Sequence, residues 1–123
     1  MILAHWTYTK NEWRAYISRT KKQKGFFNYI IHLTSAIINQ KVPEIKITSE
    51  RVYIGDDHQH FSGPRYQLMQ INIREEGIVN ILEIMYENIC VNEKIMGEIT
   101  IPVPKGKLRE AFEVEEKLMS KRM

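Results

Sequence analysis

The sequence "GDDHQH" at residues 55–60 carries the residue types of a metal site. Asp56, His58 and His60 alternate with other residues, so a strand would place all three on one face. Two imidazoles and a carboxylate suit zinc and would leave a fourth position open, as in a metal-dependent enzyme. The competing interpretation is a solvated hairpin end, where polar residues collect. We favour the hairpin end, because the sequence names neither a fourth ligand nor an outer partner for the histidines.

Cys90 is the second residue type to weigh, as a nucleophile. It is the only cysteine, so no internal disulfide forms, and the spacing singles out none of the four histidines as its base. A cysteine near a strand end is more often a small buried apolar residue. The glycine-rich and serine motifs of nucleotide-binding proteins and hydrolases do not occur. The sequence therefore predicts a non-enzymatic protein without a cofactor, and the absence of a secretory signal pattern predicts a reducing, cytoplasmic location.

Basic residues gather on one side of the first predicted helix. This basic cluster consists of Arg14, Arg19, Lys21, Lys22 and Lys24. Such a cluster can hold anionic lipid, at about 1 kcal/mol per basic residue near the surface, or the phosphates of nucleic acid. Nucleic acid would also require exposed aromatic side chains among the basic ones, whereas Trp13 and Tyr16 fall on the apolar side. Between these two ligands the sequence favours a membrane surface, while a merely solvated face is the more common meaning of such a cluster.

The elements that carry these residues begin with a short strand. Ile2, Ala4 and Trp6 alternate with Leu3, His5 and Thr7, which is the period of a strand. Thr9 and Glu12 then form a T-x-x-E capping box, in which each residue satisfies an amide of the other at the start of a helix. The first predicted helix therefore follows the strand at once.

Residues 26–39, "FFNYIIHLTSAIIN", are apolar almost all round and predict a second helix. Its polar residues recur at helical spacing and are Asn28, His32, Ser35 and Asn39. The helix is about 20 Å long, shorter than the ~30 Å hydrocarbon core of a bilayer. It either packs on the sheet of its own chain or exposes an apolar side to a protein partner, of which a second copy is the simplest case.

From residue 44 onwards the hydrophobic period is two and predicts an antiparallel meander of five to six strands with one dry face. Met69, Ile71 and Ile73 mark that face on one strand. Pro102 and Pro104 then require that the last strand either ends there or lies at an edge of the sheet, because proline cannot donate to a sheet ladder. The period changes after them and predicts a C-terminal amphipathic helix packed on the sheet. Its predicted stripe includes Leu108, Ala111, Phe112, Leu118 and Met119.

The predicted fold is therefore α+β in one domain. At 123 residues and 43% hydrophobic content the chain is long enough for a single core. Residues 1–43 supply the N-terminal strand and the two helices, and residues 44–123 supply the sheet and the closing helix. The net charge of +3 is a mild basic excess that does not by itself imply nucleic acid.

This order of elements resembles bacterial pleckstrin-homology-like (PH-like) domains, and most closely the YcxB-like family. The residues that carry the resemblance are Trp6, Tyr8 and Trp13 near the start and the "IPVPKGK" segment before the last helix. Members of that family have two membrane-spanning helices before a cytosolic sheet, where this chain has the basic helix and the short apolar helix. The resemblance implies a PH-like fold and a non-catalytic binding or scaffold role at or near a membrane, in a soluble or peripheral version. It supplies no catalytic residues.

Overall fold

A computed structural model describes residues 1–20, 42–76, 79–89 and 94–122 of the chain. Within these ranges the protein has seven strands and two helices, so the predicted α+β class is confirmed. In chain order they are β1 Ile2–Trp6, α1 Lys10–Thr20, β2 Ile45–Thr48, β3 Arg51–Ile54, β4 Asp57–His60, β5 Tyr66–Glu76, β6 Val79–Ile89, β7 Lys94–Val103 and α2 Leu108–Arg122. The predicted apolar helix at 26–39 lies outside the described residues.

The strands form two antiparallel sheets, and the prediction of one meander with five to six strands is wrong. The first sheet has the order β1-β2-β3-β4 and the second has the order β5-β6-β7. One of these strands, β4, arises from the polar segment that was interpreted as a hairpin end. It forms because its backbone completes the ladder of β3, with Tyr53 opposite His58. The chain then leaves the first sheet after the buried Phe61, at Gly63, whose φ of 138° favours glycine.

The core is built from side chains of both sheets. Every second residue of β2 and β3 is buried, as their polarity pattern predicts, and in β1 Ala4 and Trp6 are buried while Ile2 is exposed. In the second sheet the last five residues of β7 are buried on both faces, and β6 buries the consecutive Ile81 and Leu82. The most deeply buried aliphatic side chains of the two sheets are Ile45, Ile47, Val52, Ile81, Leu82, Ile84, Ile99 and Ile101. Each such side chain contributes about 1.5–3 kcal/mol through the apolar surface it removes from water.

A bulge in β5 changes which of its side chains reach the core. The β5–β6 register shifts between Leu68 and Gln70, so that Leu68 lies opposite Tyr86 while Met69 is the extra residue. Leu68 and Ile71 are consequently buried, and Met69 is only half-buried. The prediction that Met69 begins the inner face is wrong, because one inserted residue exchanges the two faces of a strand.

The C-terminal helix α2 packs against β1 and β5, as predicted for a closing helix. Its buried stripe is Ala111, Val114 and Leu118, at i, i+3 and i+7. Phe112, which was expected on this stripe, is 50% exposed, since it lies about a quarter turn from Ala111. The indole Nε1 of Trp6 donates to Glu110 Oε1 at 3.1 Å and joins the helix to β1.

Candidate functional site

The capping box at the start of α1 also connects this helix to the end of β7. The Thr9 amide donates to Glu12 Oε1 at 3.0 Å, and the Glu12 amide donates to Thr9 Oγ1 at 3.1 Å. The other carboxylate oxygen, Oε2, accepts from the Lys105 amide at 2.9 Å. The Lys105 and Thr9 amides hold the pKa of the Glu12 carboxyl below its usual range. One carboxylate thus starts α1 and fixes the loop that leads into α2.

Two tyrosine hydroxyls attach this part of the chain to the backbone of β7. Tyr16 Oη donates to the carbonyl oxygen of Thr100 at 3.0 Å, and Tyr8 Oη donates to that of Pro102 at 2.7 Å. Burial raises the pKa of the Tyr16 phenol to about 12 and raises that of Tyr8 well above its usual value. Both phenols therefore stay neutral and serve as hydrogen-bond donors that hold α1 on the second sheet.

A cleft of about 470 Å³, the α1 cleft, lies between α1 and the chain from β7 into α2. Its walls are mostly apolar and include Ala15, Val79, Pro102, Val103, Pro104 and Leu108. Asn11, Asn80 and Lys105 bring polar groups to it. The chain turns below the cleft at Gly106, which has a φ of 84°. The volume falls in the range of small-molecule sites, roughly 300–1,000 Å³.

The structure describes only part of the basic cluster. Arg14 is exposed on α1, and Arg19 belongs to the last turn of the same helix. Lys21, Lys22 and Lys24 lie outside the described residues. The sequence did not connect Lys105 with this cluster, yet the bond from its amide to Glu12 brings it beside the first turn of α1. Since 93 positions separate Lys105 from Glu12, no local sequence pattern predicts this contact.

The Asp56, His58 and His60 pattern does not become a metal centre in the described part of the chain. Asp56 lies in the turn before β4, while both histidines are on β4. Among the described residues, no group of three or more His, Cys, Asp or Glu side chains is placed to hold a metal ion. Cys90 lies outside them.

A row of rings instead runs along the outer face of the first sheet and ends at Tyr66 of β5. The side chains that form this ring row are Tyr53, His58, His60 and Tyr66. Consecutive ring centroids are 5.9, 5.4 and 5.6 Å apart, and the last pair is stacked at 17°. The Arg51 guanidinium lies 5.8 Å from the centre of the Tyr53 ring. Burial and the Arg51 charge lower the pKa of His60, which therefore contributes a neutral ring at pH 7.

An acidic pair, Glu83 and Glu98, lies on the side of the second sheet against which α1 packs. Arg74 Nε donates to Glu83 Oε2 at 2.7 Å, and Glu98 shares a hydrogen bond with Glu83. Burial, together with the Glu83 charge, raises the pKa of Glu98 to about 7. These groups lie near Tyr16, and the Arg74 charge acts on its phenol. Their contacts within the sheet indicate a structural role.

No helix in the described ranges combines the length and apolar content needed to cross a bilayer. Comparison of the chain with protein-family models, with curated proteins and with solved structures gave no match. An assignment of function therefore rests on the geometry of this chain.

Proposed function

We propose that the chain is a non-catalytic, PH-like binding domain that engages an anionic membrane surface through α1 and the loop between β7 and α2. The observation that carries the proposal is the α1 cleft, which combines apolar walls with Lys105. Arg14 is exposed on the adjoining helix. An anionic amphiphile matches both features, because its headgroup meets the basic side chains while its apolar part enters the cleft.

The order of elements supports the PH-like part of the proposal. A strand and a helix come first, consecutive strands then pair antiparallel with their sequence neighbours, and α2 closes the chain. This is the order on which the resemblance to the YcxB-like family rests. The strands are divided between two sheets, which the resemblance did not anticipate.

The hydrogen bonds of the Glu12 carboxylate and the Tyr8 hydroxyl at the cleft support a binding role over a catalytic one. Glu12 accepts hydrogen bonds from two backbone amides, and the Tyr8 hydroxyl is committed to the Pro102 carbonyl. A general acid or base must reach the proton that it transfers. Groups that are committed to the backbone in this way hold the shape of the cleft and are poorly placed to exchange protons with a ligand.

Sedimentation with anionic and neutral liposomes, at about 50 and 200 mM salt, tests the proposal. We expect binding to anionic liposomes only, and weaker binding at the higher salt concentration. Neutralising Arg14 and Lys105 together, as Arg14→Gln with Lys105→Gln, should weaken binding by about 25-fold, since each basic residue contributes about 1 kcal/mol.

The matched control is Lys94→Gln with Lys117→Gln. Both lysines are exposed, one at the start of β7 and the other near the end of α2, and the change in net charge is the same. The control should bind liposomes as the wild type does. Equal weakening in both double variants would show a diffuse charge effect and contradict the assigned surface. No binding to anionic liposomes at the lower salt concentration would refute the membrane role altogether.

A further inference from the structure

We propose that the outer face of the first sheet binds single-stranded nucleic acid, with bases stacked on the ring row and phosphates paired with Lys46 and Arg51. This face is distinct from the α1 cleft, and the inference does not depend on the membrane proposal. Nucleic acid is a second class of ligand, and the sequence pattern points to it only at the basic cluster on α1.

The arrangement of the rings is the first support. His58 is exposed, while Tyr53, His60 and Tyr66 are half-buried. They follow one another across β3, β4 and β5 at 5.4–5.9 Å between centroids. Proteins that bind single strands use such series of aromatic side chains, because every base offers a stacking face.

The charges beside the rings are the second support. Lys46 lies opposite Tyr53 in the β2–β3 ladder, and Arg51 lies against the same ring. Glu44, the acid next to β2, is half exposed and bonded to His5, and it lies at the edge of this face. Lys46 and Arg51 provide two positive charges beside the rings, which attract a phosphate backbone.

Acids at the two ends of this face define its extent. Glu50 precedes β3, and Asp56 precedes β4, and both are exposed. They repel phosphate beyond the region that Lys46 and Arg51 cover. The surface therefore suits a short stretch of bases with two phosphate contacts, held more by stacking than by charge.

The same criterion that disfavours nucleic acid at α1 favours it here. Stacking needs aromatic rings exposed among basic side chains. On α1 the candidate rings, Trp13 and Tyr16, are 3% and 0% exposed and face the sheet. On the first sheet the rings of β3 and β4 share the outer face with Lys46 and Arg51.

Fluorescence anisotropy with labelled oligo(dT) and oligo(U) tests the inference. Each oligonucleotide has about 12 nucleotides, a length that one small single-strand-binding domain can cover. We expect binding at about 50 mM salt and roughly sevenfold weaker binding at 200 mM, as two phosphate contacts predict for a single strand. Tighter binding of oligo(U) would assign RNA as the ligand through its 2′-hydroxyls, and equal binding would assign a single strand of either kind.

Three variants locate the site. His58→Ala removes an exposed ring and should weaken binding roughly five- to a hundredfold. Tyr53→Ala removes a second ring of the row and should weaken binding likewise. The matched control is Phe112→Ala, which removes a ring that is 50% exposed on α2 and should bind normally. Thermal unfolding of each variant checks that the fold is retained.

Several results would overturn the inference. One is the absence of binding to either oligonucleotide at the lower salt concentration. Another is unchanged affinity in a folded His58→Ala variant, and a third is an equal loss in Phe112→Ala. If Arg14→Gln with Lys105→Gln abolishes oligonucleotide binding while His58→Ala leaves it intact, the strand binds at α1 and the assignment to the first sheet is wrong.

Discussion

The shape of the α1 cleft depends on Glu12. The substitution Glu12→Gln is the sharpest test of this dependence. The wild-type carboxylate accepts from the Thr9 amide at 3.0 Å and from the Lys105 amide at 2.9 Å. A glutamine keeps one oxygen but turns an NH₂ group towards the other amide, so that two donors face each other. We expect the Lys105 bond, which lies outside the local capping box, to be the one that is lost.

The magnitude follows from that one bond. Hydrogen bonds to a charged group contribute about 1.5–3 kcal/mol, and the partial exposure of Glu12 favours the lower end. We expect Glu12→Gln to lower the free energy of unfolding by about 1.5 kcal/mol at pH 7. The direction in which this stability difference changes with pH follows from the lowered pKa of Glu12 in the folded state. Its contribution is present above the ordinary carboxyl pKa of 4.5 and is lost as the pH falls through the folded pKa. The difference between variant and wild type should therefore shrink in acid.

Urea denaturation and amide hydrogen exchange provide the assay, and Thr9→Ala provides the control. Thr9→Ala removes the capping hydroxyl, at about 1 kcal/mol, but leaves the Glu12–Lys105 bond in place. Exchange of the Lys105 amide should accelerate in Glu12→Gln and stay slow in Thr9→Ala, although both variants are destabilised. Unchanged Lys105 exchange in Glu12→Gln, or equal acceleration in both variants, would refute the reasoning that Glu12 holds this loop.

Two further predictions concern the second sheet. Gly97→Ala should destabilise the fold by about 1–3 kcal/mol in urea denaturation, because the new methyl group would overlap the Tyr86 ring, whose Cε2 is 2.6 Å from that position. The cost should vanish in a Tyr86→Leu background, and its persistence there would exclude the ring as the cause. Glu98 has a folded pKa raised to about 7 by burial and by Glu83, so its contribution is full below pH 4.5 and is lost as the pH rises through 7. Glu98→Gln mimics the protonated acid and should remove this loss of stability between pH 4.5 and 7. An NMR titration that gives Glu98 an ordinary carboxyl pKa would contradict the prediction.

Local patterns in the sequence determined much of the secondary structure. The Thr9–Glu12 capping box forms as predicted, because its two bonds join residues three positions apart. Trp13 and Tyr16 are buried as their helical spacing predicts, and Ala4 and Trp6 as strand alternation predicts. Each of these features depends on neighbours along the chain, so the amino-acid order alone carries the information.

Tertiary structure decided the features that make up the candidate sites. β4 forms from a polar segment because β3 offers it a ladder, and only then do His58 and His60 join Tyr53 in a ring row. Lys105 reaches α1 only because β7 packs beneath the helix. The local periods of 2 and 3.6 residues say which face of an element is buried but not which element covers it. The partner depends on how all the faces fit together, and residues far apart in the chain then become neighbours.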